Sequence, residues 1–263
     1  PAGSAIRASN SNRIHVKNCN IRRMRNGVEA NSSANFYLGY NEFRENAEDD
    51  VRVYQKSTNF TSDSNYHVSD PAYIYNEWAN PSTPPLYHPD MLQTSWQEST
   101  PGGHVNMRLR RDVRIGFNGY RQGALLGASA KFISDPTKYE HRNCVIEDQY
   151  VEVASPIGIG IYNSRDCIIR NNTIREFNPN TFSERGGKLF VGGPTYNLTI
   201  ENTVANASIF LVQTLGWTSS MINGGMTVSN YSGTNQWPPN WPQAALGQDR
   251  RFVYLGGPDA WRT

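Results

Sequence analysis

Two stretches of this chain, NGVEANSSANFYLGYNEF at residues 26–43 and IGIGIYNSRDCIIRNNTI at residues 157–174, align without a gap over their full length. Apolar residues recur at equivalent places in the two stretches, and so does an asparagine at the turn. The aligned pairs are Val28 with Ile159, Phe36 with Cys167, Leu38 with Ile169, Asn41 with Asn172, and Phe43 with Ile174. The chain therefore contains an internal repeat, and the period of that repeat decides the class of fold.

The same unit recurs in shorter form at residues 11–21, 71–78, 140–151 and 196–205. Neighbouring copies lie 22 residues apart from Ile14 to Phe36, and 23 residues apart from Cys144 to Cys167. Within a copy the apolar residues alternate, which is typical of a strand with one buried face. The LxxLxLxxN signature of leucine-rich repeats and the 3.6-residue period of helical repeats are both absent. The repeat predicts an all-β solenoid, a parallel β-helix.

Asparagine recurs at the turns of several copies, at Asn18, Asn41, Asn76 and Asn172. In a stack of coils about 4.8 Å apart, amide side chains at one position can hydrogen-bond from each coil to the next. We therefore expect an asparagine ladder along the stack.

Composition and the end of the chain bound the other possibilities. With 25 basic and 23 acidic residues among 263, the net charge of +2 gives no argument for a nucleic-acid partner. No run of 18 apolar residues is present, so we expect no membrane span.

Residues 1–216 are predicted to form the β-helix. Residues 217–263, rich in Trp and Pro, are predicted to form an irregular C-terminal cap or oligomerisation segment, because proline donates no ladder hydrogen bond.

The three cysteines, Cys19, Cys144 and Cys167, cannot all pair with one another and show no CxxC spacing. Free thiols buried in the core are the interpretation that fits this number and spacing.

The repeat resembles that of the right-handed parallel β-helix proteins, a superfamily that includes pectate lyases, alginate lyases, epimerases and phage tailspike depolymerases. The resemblance covers roughly residues 11–207. It implies a right-handed coil, a polysaccharide ligand and an extracellular or virion-surface location. Similarity to tailspikes in particular implies a homotrimer or a larger virion assembly.

The repeat is interrupted at LYHPDMLQTSWQES, residues 86–99. Nine residues lead from Asn41 to Asp50, whereas fourteen lead from Asn76 to Asp90, so an insertion of five residues bulges out at this corner. The alignment predicts that Asp50 and Asp90 are stacked at the same place on successive coils. Asp49 and His88 would lie beside them.

Two carboxylates one coil apart raise the pKa of one member and can supply a general acid and a general base. A divalent cation such as Ca²⁺, held by Asp50 and Asp90, is an alternative use of the pair. No ligand motif in the sequence supports that cation.

The segment HPDMLQ looks like an HPDxxQ segment that recurs in β-helix proteins grouped with polysaccharide lyases and epimerases. This resemblance makes His88, Asp90 and Gln93 the candidate catalytic residues and places Gln122 on a later coil as a candidate substrate-binding residue. The alternative is that Pro89 and Asp90 only make a turn, that Gln93 continues a polar ladder, and that His88 is a surface histidine.

Arginines follow in VNMRLRRDVRIGFNGYR, residues 105–121. If the apolar residues Met107, Leu109, Val113 and Ile115 face inward, then Arg108, Arg110 and Arg114 face outward together. Guanidinium groups bind carboxylate or sulfate groups of a sugar chain well. The alternative is an exposed charged strand face that pairs with Asp112 and nearby acids.

Aromatic residues give a weaker signal, with Trp96 just beyond the interruption and Tyr54, Tyr66, Tyr87 and Tyr120 as rings suited to a sugar cleft. Taken together, the sequence predicts a protein that binds an acidic polysaccharide on its outer face and cleaves it by β-elimination or hydrolysis. The alternative is a tailspike-like adhesin that holds the glycan without breaking it.

Overall fold

The computed structural model describes residues 3–69, 90–95, 103–116, 121–127, 140–153, 155, 157–176, 187–205, 209–212 and 226–231. Throughout these residues the regular structure is β-strand, and every strand pairing is parallel. The strands fall into three sheets, as expected for a parallel β-helix.

Each sheet forms one wall of the solenoid. The first wall contains β1 (Ser4–Ser9), β4 (Asn26–Asn31), β7 (Val51–Tyr54), β10 (Asp90–Ser95), β13 (Gln122–Leu126), β17 (Ile157–Arg165), β20 (Lys188–Tyr196) and β22 (Phe210–Val212), with β14 (His141–Arg142) paired to β17. The second wall contains β2 (Asn12–Lys17), β5 (Ala34–Gly39), β8 (Thr61–Asp63), β11 (Arg108–Arg110), β15 (Val145–Glu147), β18 (Ile168–Arg170), β21 (Leu198–Glu201) and β23 (Met226–Ser229). The third wall contains β3 (Asn20–Arg22), β6 (Glu42–Arg44), β9 (Tyr66–Ser69), β12 (Val113–Gly116), β16 (Tyr150–Val153) and β19 (Thr173–Glu176).

The chain passes through the first, second and third walls in turn and then starts the next coil. The strand register confirms the repeat alignment, because Val28 lies opposite Val51 and, through β10 and β13, in the same row as Ile159. Within the segment predicted as a C-terminal cap, β23 still pairs with β21, from Leu198 opposite Met226 onward.

The core is built from rows of inward side chains that run along the solenoid. The row of the second wall is fully or almost fully buried: Phe36, Phe60, Met107, Cys144, Cys167 and Leu198. The rings of Phe36 and Phe60 stack with their centroids 5.5 Å apart. Cys144 and Cys167 are buried free thiols, as predicted, whereas Cys19 is partly exposed. Every coil therefore buries its apolar residues against the coils above and below it, which is where the hydrophobic stabilisation arises.

The turns explain why the sequence is rich in asparagine. Among the described residues, 21 non-glycine residues have a positive φ, and 11 of these are Asn. Asparagine tolerates the left-handed region better than other residues with a side chain. The turns therefore favour asparagine for backbone geometry as well as for side-chain hydrogen bonds.

The predicted asparagine ladder lies inside the turn between the second and third walls. The amide of Asn41 accepts a hydrogen bond from the Cys19 N–H at 2.9 Å, and Asn65 accepts from the Asn41 N–H at 3.0 Å. Asn172 repeats the arrangement by accepting from the Gln149 N–H at 3.0 Å. Asn18 lies just outside the ladder with a φ of 55°, and Asn76 falls outside the described residues. The prediction is confirmed for Asn41 and Asn172.

Candidate functional site

The candidate site lies at the corner where the third wall leads into the first. On three successive coils the chain enters the first wall through Asp49 and Asp50, through Asp90, and through Arg121 and Gln122. The pairing of Gln93 with Arg52 places Asp90 opposite Asp49, and Asp90 lies directly opposite Gln122 on the next coil. The interruption seen in the sequence therefore does end at a corner where acidic residues meet.

The pair at this corner is Asp49 and Asp90. The backbone N–H of Asp90 donates to Oδ1 of Asp49 at 2.9 Å. Asp49 Oδ2 lies 2.6 Å from Nε of Arg52, which forms an ion pair with it. Both carboxyl groups are buried, with Asp49 2% and Asp90 0% exposed.

The environment of Asp49 favours its protonated form. Burial and, next in size, the charge of Asp90 raise the pKa of Asp49 from 3.8 to about 7, against the opposing charge of Arg52. A carboxyl group that titrates near neutral pH can both donate and accept a proton there. The Asp49–Asp90 pair is thus suited to acid–base chemistry.

The predicted stacking of Asp50 on Asp90 is wrong by one residue, because Asp50 points into the core. Its carboxylate forms an ion pair with Arg121 at 2.5 Å, accepts from Asn46 Nδ2 at 2.8 Å and contacts His67 Nδ1 at 3.1 Å. Burial alone would raise the pKa of Asp50, but Arg121, His67 and Asn46 hold it below the ordinary value. The strict alternation of a strand does not extend through a corner, which is why the sequence could not choose between the two neighbouring aspartates.

These contacts also argue against the predicted Ca²⁺ site at Asp50 and Asp90. The guanidinium of Arg121 already occupies the side of Asp50 that a cation would use, so Asp50 and Asp90 do not fit a shared metal ion. Within the described residues no group of three or more His, Cys, Asp or Glu side chains is arranged to hold a metal.

Arg114 is not on the surface, so the prediction that it faces outward with Arg108 and Arg110 is wrong. It is 0% exposed and lies in the inward row of the third wall, next to His67. Its Nη2 donates to Asp112 Oδ2 at 2.8 Å, and its Nη1 contacts the side chain of Gln149. Burial lowers the pKa of Arg114, while the charge of Asp112 opposes that shift.

The error arises because both faces of β12 are buried. Val113 and Ile115 were expected to face the core, but they lie on the other face, in a small apolar cluster with Tyr66, Val68 and Tyr150. An alternating pattern does not reveal which face is inward when both faces become buried.

His67, Arg114 and Asp112 join Asp50 and Arg121 in one buried ionic belt that crosses the interior of the solenoid. Each of these five side chains is 0% exposed. The ring of His67 stacks on Phe43, with centroids 4.7 Å apart and planes within 6°. Burial lowers the pKa of His67, the Asp50 hydrogen bond opposes that shift, and the charge of Arg114 adds to it. No pattern in the sequence distinguished these charged residues from surface residues.

Arg108 and Arg110 do face outward, as predicted, but β11 belongs to the second wall whereas Asp90 belongs to the first. Arg110 is paired with Asp63 at 2.9 Å, which matches the alternative interpretation of a charged strand face. The structure thus separates these arginines from the carboxylate pair.

The outer face of the first wall supplies the other polar groups of the site. Gln93 lies between Arg52 and Leu125 in the outward row. The guanidinium of Arg52 lies 5.1 Å from the ring centroid of Tyr54, whose pKa is raised by burial to about 12. Arg52 was missed in the sequence, although the alternation of VRVY after Asp50 marks it as an outward residue beside an acid. His88 and Trp96 lie outside the described residues.

Comparisons of the chain with protein-family models, with curated proteins and with solved structures gave no significant match. The described part of the chain contains no helix that is long and apolar enough to span a membrane.

Proposed function

We propose that this protein binds an acidic polysaccharide on the outer face of the first wall and cleaves it with the Asp49–Asp90 pair. The observation that supports this proposal is the position of Asp90 on the coil after Asp49, where its backbone N–H donates to the Asp49 carboxyl group and its charge helps to raise the pKa of Asp49 to about 7. Perturbed carboxyl pairs of this kind are typical of sites that transfer protons.

The neighbouring side chains suit an acidic sugar chain. Arg52, whose side chain is 23% exposed, would bind the acid group of the sugar, and Gln93 would bind a hydroxyl. Tyr54 offers an aromatic ring next to them. The exposed part of Arg52 is the side from which a ligand would approach the buried carboxyl pair.

The reaction would be β-elimination or hydrolysis. In β-elimination one carboxylate takes the proton next to the sugar carboxyl group, and the electron pair of that C–H bond forms the new double bond. The glycosidic oxygen then leaves with a proton from the partner carboxyl group. Because Arg52 would neutralise the sugar carboxylate, it would make the departing proton more acidic. His88 remains a further candidate for this proton transfer.

A second candidate is a glycan-binding adhesin of the tailspike type, acting outside the cell or on a virion, alone or as a trimer. The burial of both carboxyl groups favours this candidate, because a buried pair is poorly placed to reach a substrate. A binder of this kind would retain affinity for the glycan and release no product.

The test is incubation with uronate-containing polysaccharides, followed by measurement of unsaturated uronate absorbance and of new reducing ends. We expect Asp90→Asn to reduce turnover by about 100-fold or more, because a general acid or base contributes that much. Asp148→Asn, at an exposed turn position, is the matched control and should retain full activity. Unchanged turnover in Asp90→Asn, with a folded protein, would remove Asp90 from the mechanism.

A further inference from the structure

The second wall carries a groove on its outer side that lies apart from the carboxylate pair. The groove has a volume of about 520 Å³ and crosses four coils. Its lining includes Asn106, Arg108, Asn143, Val145, Asp166 and Ile168.

An exposed asparagine ladder runs along one side of this groove and is interrupted there. Asn59 donates to Asn35 at 2.8 Å, and Asn106 donates to Asn59 at 3.0 Å. The next amide, that of Asn143, makes no side-chain hydrogen bond to any described residue. On the far side of the interruption the ladder resumes, where Asn197 donates to Asp166 at 2.8 Å. The groove thus holds an amide whose donors and acceptor are available to a ligand.

The rest of the lining is amphipathic. Val145 and Ile168 follow Arg108 in the outward row of the second wall, and both are partly exposed. Arg108 is exposed and has no ion pair with a described residue, in contrast to Arg110 beside it. The groove therefore offers a small apolar floor, together with an amide and a cation that have no side-chain partner in the described part of the chain.

We propose that this groove binds a segment of an acidic glycan without cleaving it. The apolar face of a sugar ring would pack on Val145 and Ile168, the hydroxyls would bond to Asn106 and Asn143, and an acid group would pair with Arg108. The Asp166 carboxylate lies two coils from Arg108 and would repel an acid group. The acid group of the sugar would therefore lie at the Arg108 end of the groove. The class of ligand rests on the proposed function, whereas the position of the groove does not.

The experiment measures binding of oligogalacturonate and of a neutral oligosaccharide of equal length by calorimetry and by ¹⁵N NMR of side-chain amides. We expect oligogalacturonate to shift the Asn143 amide signal. Arg108→Gln should weaken its affinity about 10-fold and leave the neutral probe unaffected. Asn143→Gly, which keeps the positive φ of 53°, should weaken both probes, and Asp166→Asn should strengthen binding of the acidic probe.

Arg13→Gln is the matched control, because Arg13 is an exposed arginine of the second wall with a φ of 61° on the first coil. Wild-type affinity in both Arg108→Gln and Asn143→Gly, or absence of binding to the wild type, would overturn the proposal. Asp90→Asn should bind in the groove as the wild type does. If the groove binds the probe while neither the wild type nor any variant releases product, the groove proposal stands and the proposed cleavage fails.

Discussion

At the scale of single residues, the structure makes Asp49 costly to ionise. The folded-state pKa of about 7 lies above the ordinary 3.8, so the folded chain holds this proton more tightly than the unfolded chain does. Protonation of Asp49 therefore stabilises the folded state fully below about pH 4, and this contribution is lost as the pH rises to about 7.

We predict that Asp49→Asn is more stable than the wild type at pH 8 by up to about 4 kcal/mol and loses that advantage near pH 4. The amide can still accept from the Asp90 N–H, and Arg52 keeps a contact with Glu48 at 3.7 Å. Urea unfolding at several pH values measures the difference. A difference that does not vary with pH would show that Asp49 is ionised in the folded protein.

Two other residues, His141 of β14 and His104 on the preceding coil, stack with ring centroids 5.5 Å apart. Both are 0% exposed, and burial lowers the pKa of His141 from 6.5 to about 4. Stability from a neutral buried histidine is lost as the pH falls below about 6.5, because the unfolded chain then binds the proton.

We therefore expect His141→Gln to reduce the dependence of the unfolding free energy on pH between about 4 and 6.5, by up to about 1.4 kcal/mol per pH unit. The measurement is the midpoint of urea unfolding across this range. A slope equal to that of the wild type would contradict the neutral, buried state of His141.

At the scale of elements, the rows along the walls show what the ionic belt replaces. The row that contains Asp112 holds asparagine at Asn41, Asn65 and Asn172 on other coils, and the row of Arg114 holds Val151 on the next coil. The belt thus stands where other coils have an amide ladder and an apolar core residue. A buried ion pair contributes little net stability, but removal of one partner leaves an uncompensated charge.

We predict that Arg114→Val destabilises the protein by about 3–5 kcal/mol, because Asp112 is then buried without its cation. The double variant Asp112→Asn with Arg114→Val should recover most of that loss, since it restores the pattern of the other coils. Thermal and urea unfolding of the two variants make the comparison. Equal destabilisation of the single and double variants would contradict this interpretation of the belt.

The same rows show how far sequence reasoning reaches. The period placed Val28 in one row with Ile159 and Asn41 in one with Asn172, because strand pairing repeats every coil. The prediction from the period failed for Asp50, which lies at a corner where the alternation of inward and outward side chains is lost. It failed for Arg114 as well, because hydrophobicity alone cannot identify a charged residue that is compensated inside the core. The pairing of Asp90 with an acid of the preceding coil was predictable, but which acid was not.

At the scale of the whole molecule, the solenoid brings residues that are far apart in the sequence close together in space. Asp49 and Asp90 are 41 residues apart in the chain and share a hydrogen bond. Arg108 is close to Asp90 in sequence, yet it belongs to another wall. The buried carboxyl pair and the groove therefore belong to different walls of the solenoid.

The proposed function requires that an acidic glycan lies on the first wall beside Asp49 and Asp90. The most direct measurement is a crystal structure of the Asp90→Asn variant soaked with oligogalacturonate. We predict sugar density over Arg52 and Gln93, with an acid group paired to Arg52. Density confined to the second wall, or no bound sugar at all, would contradict the claim.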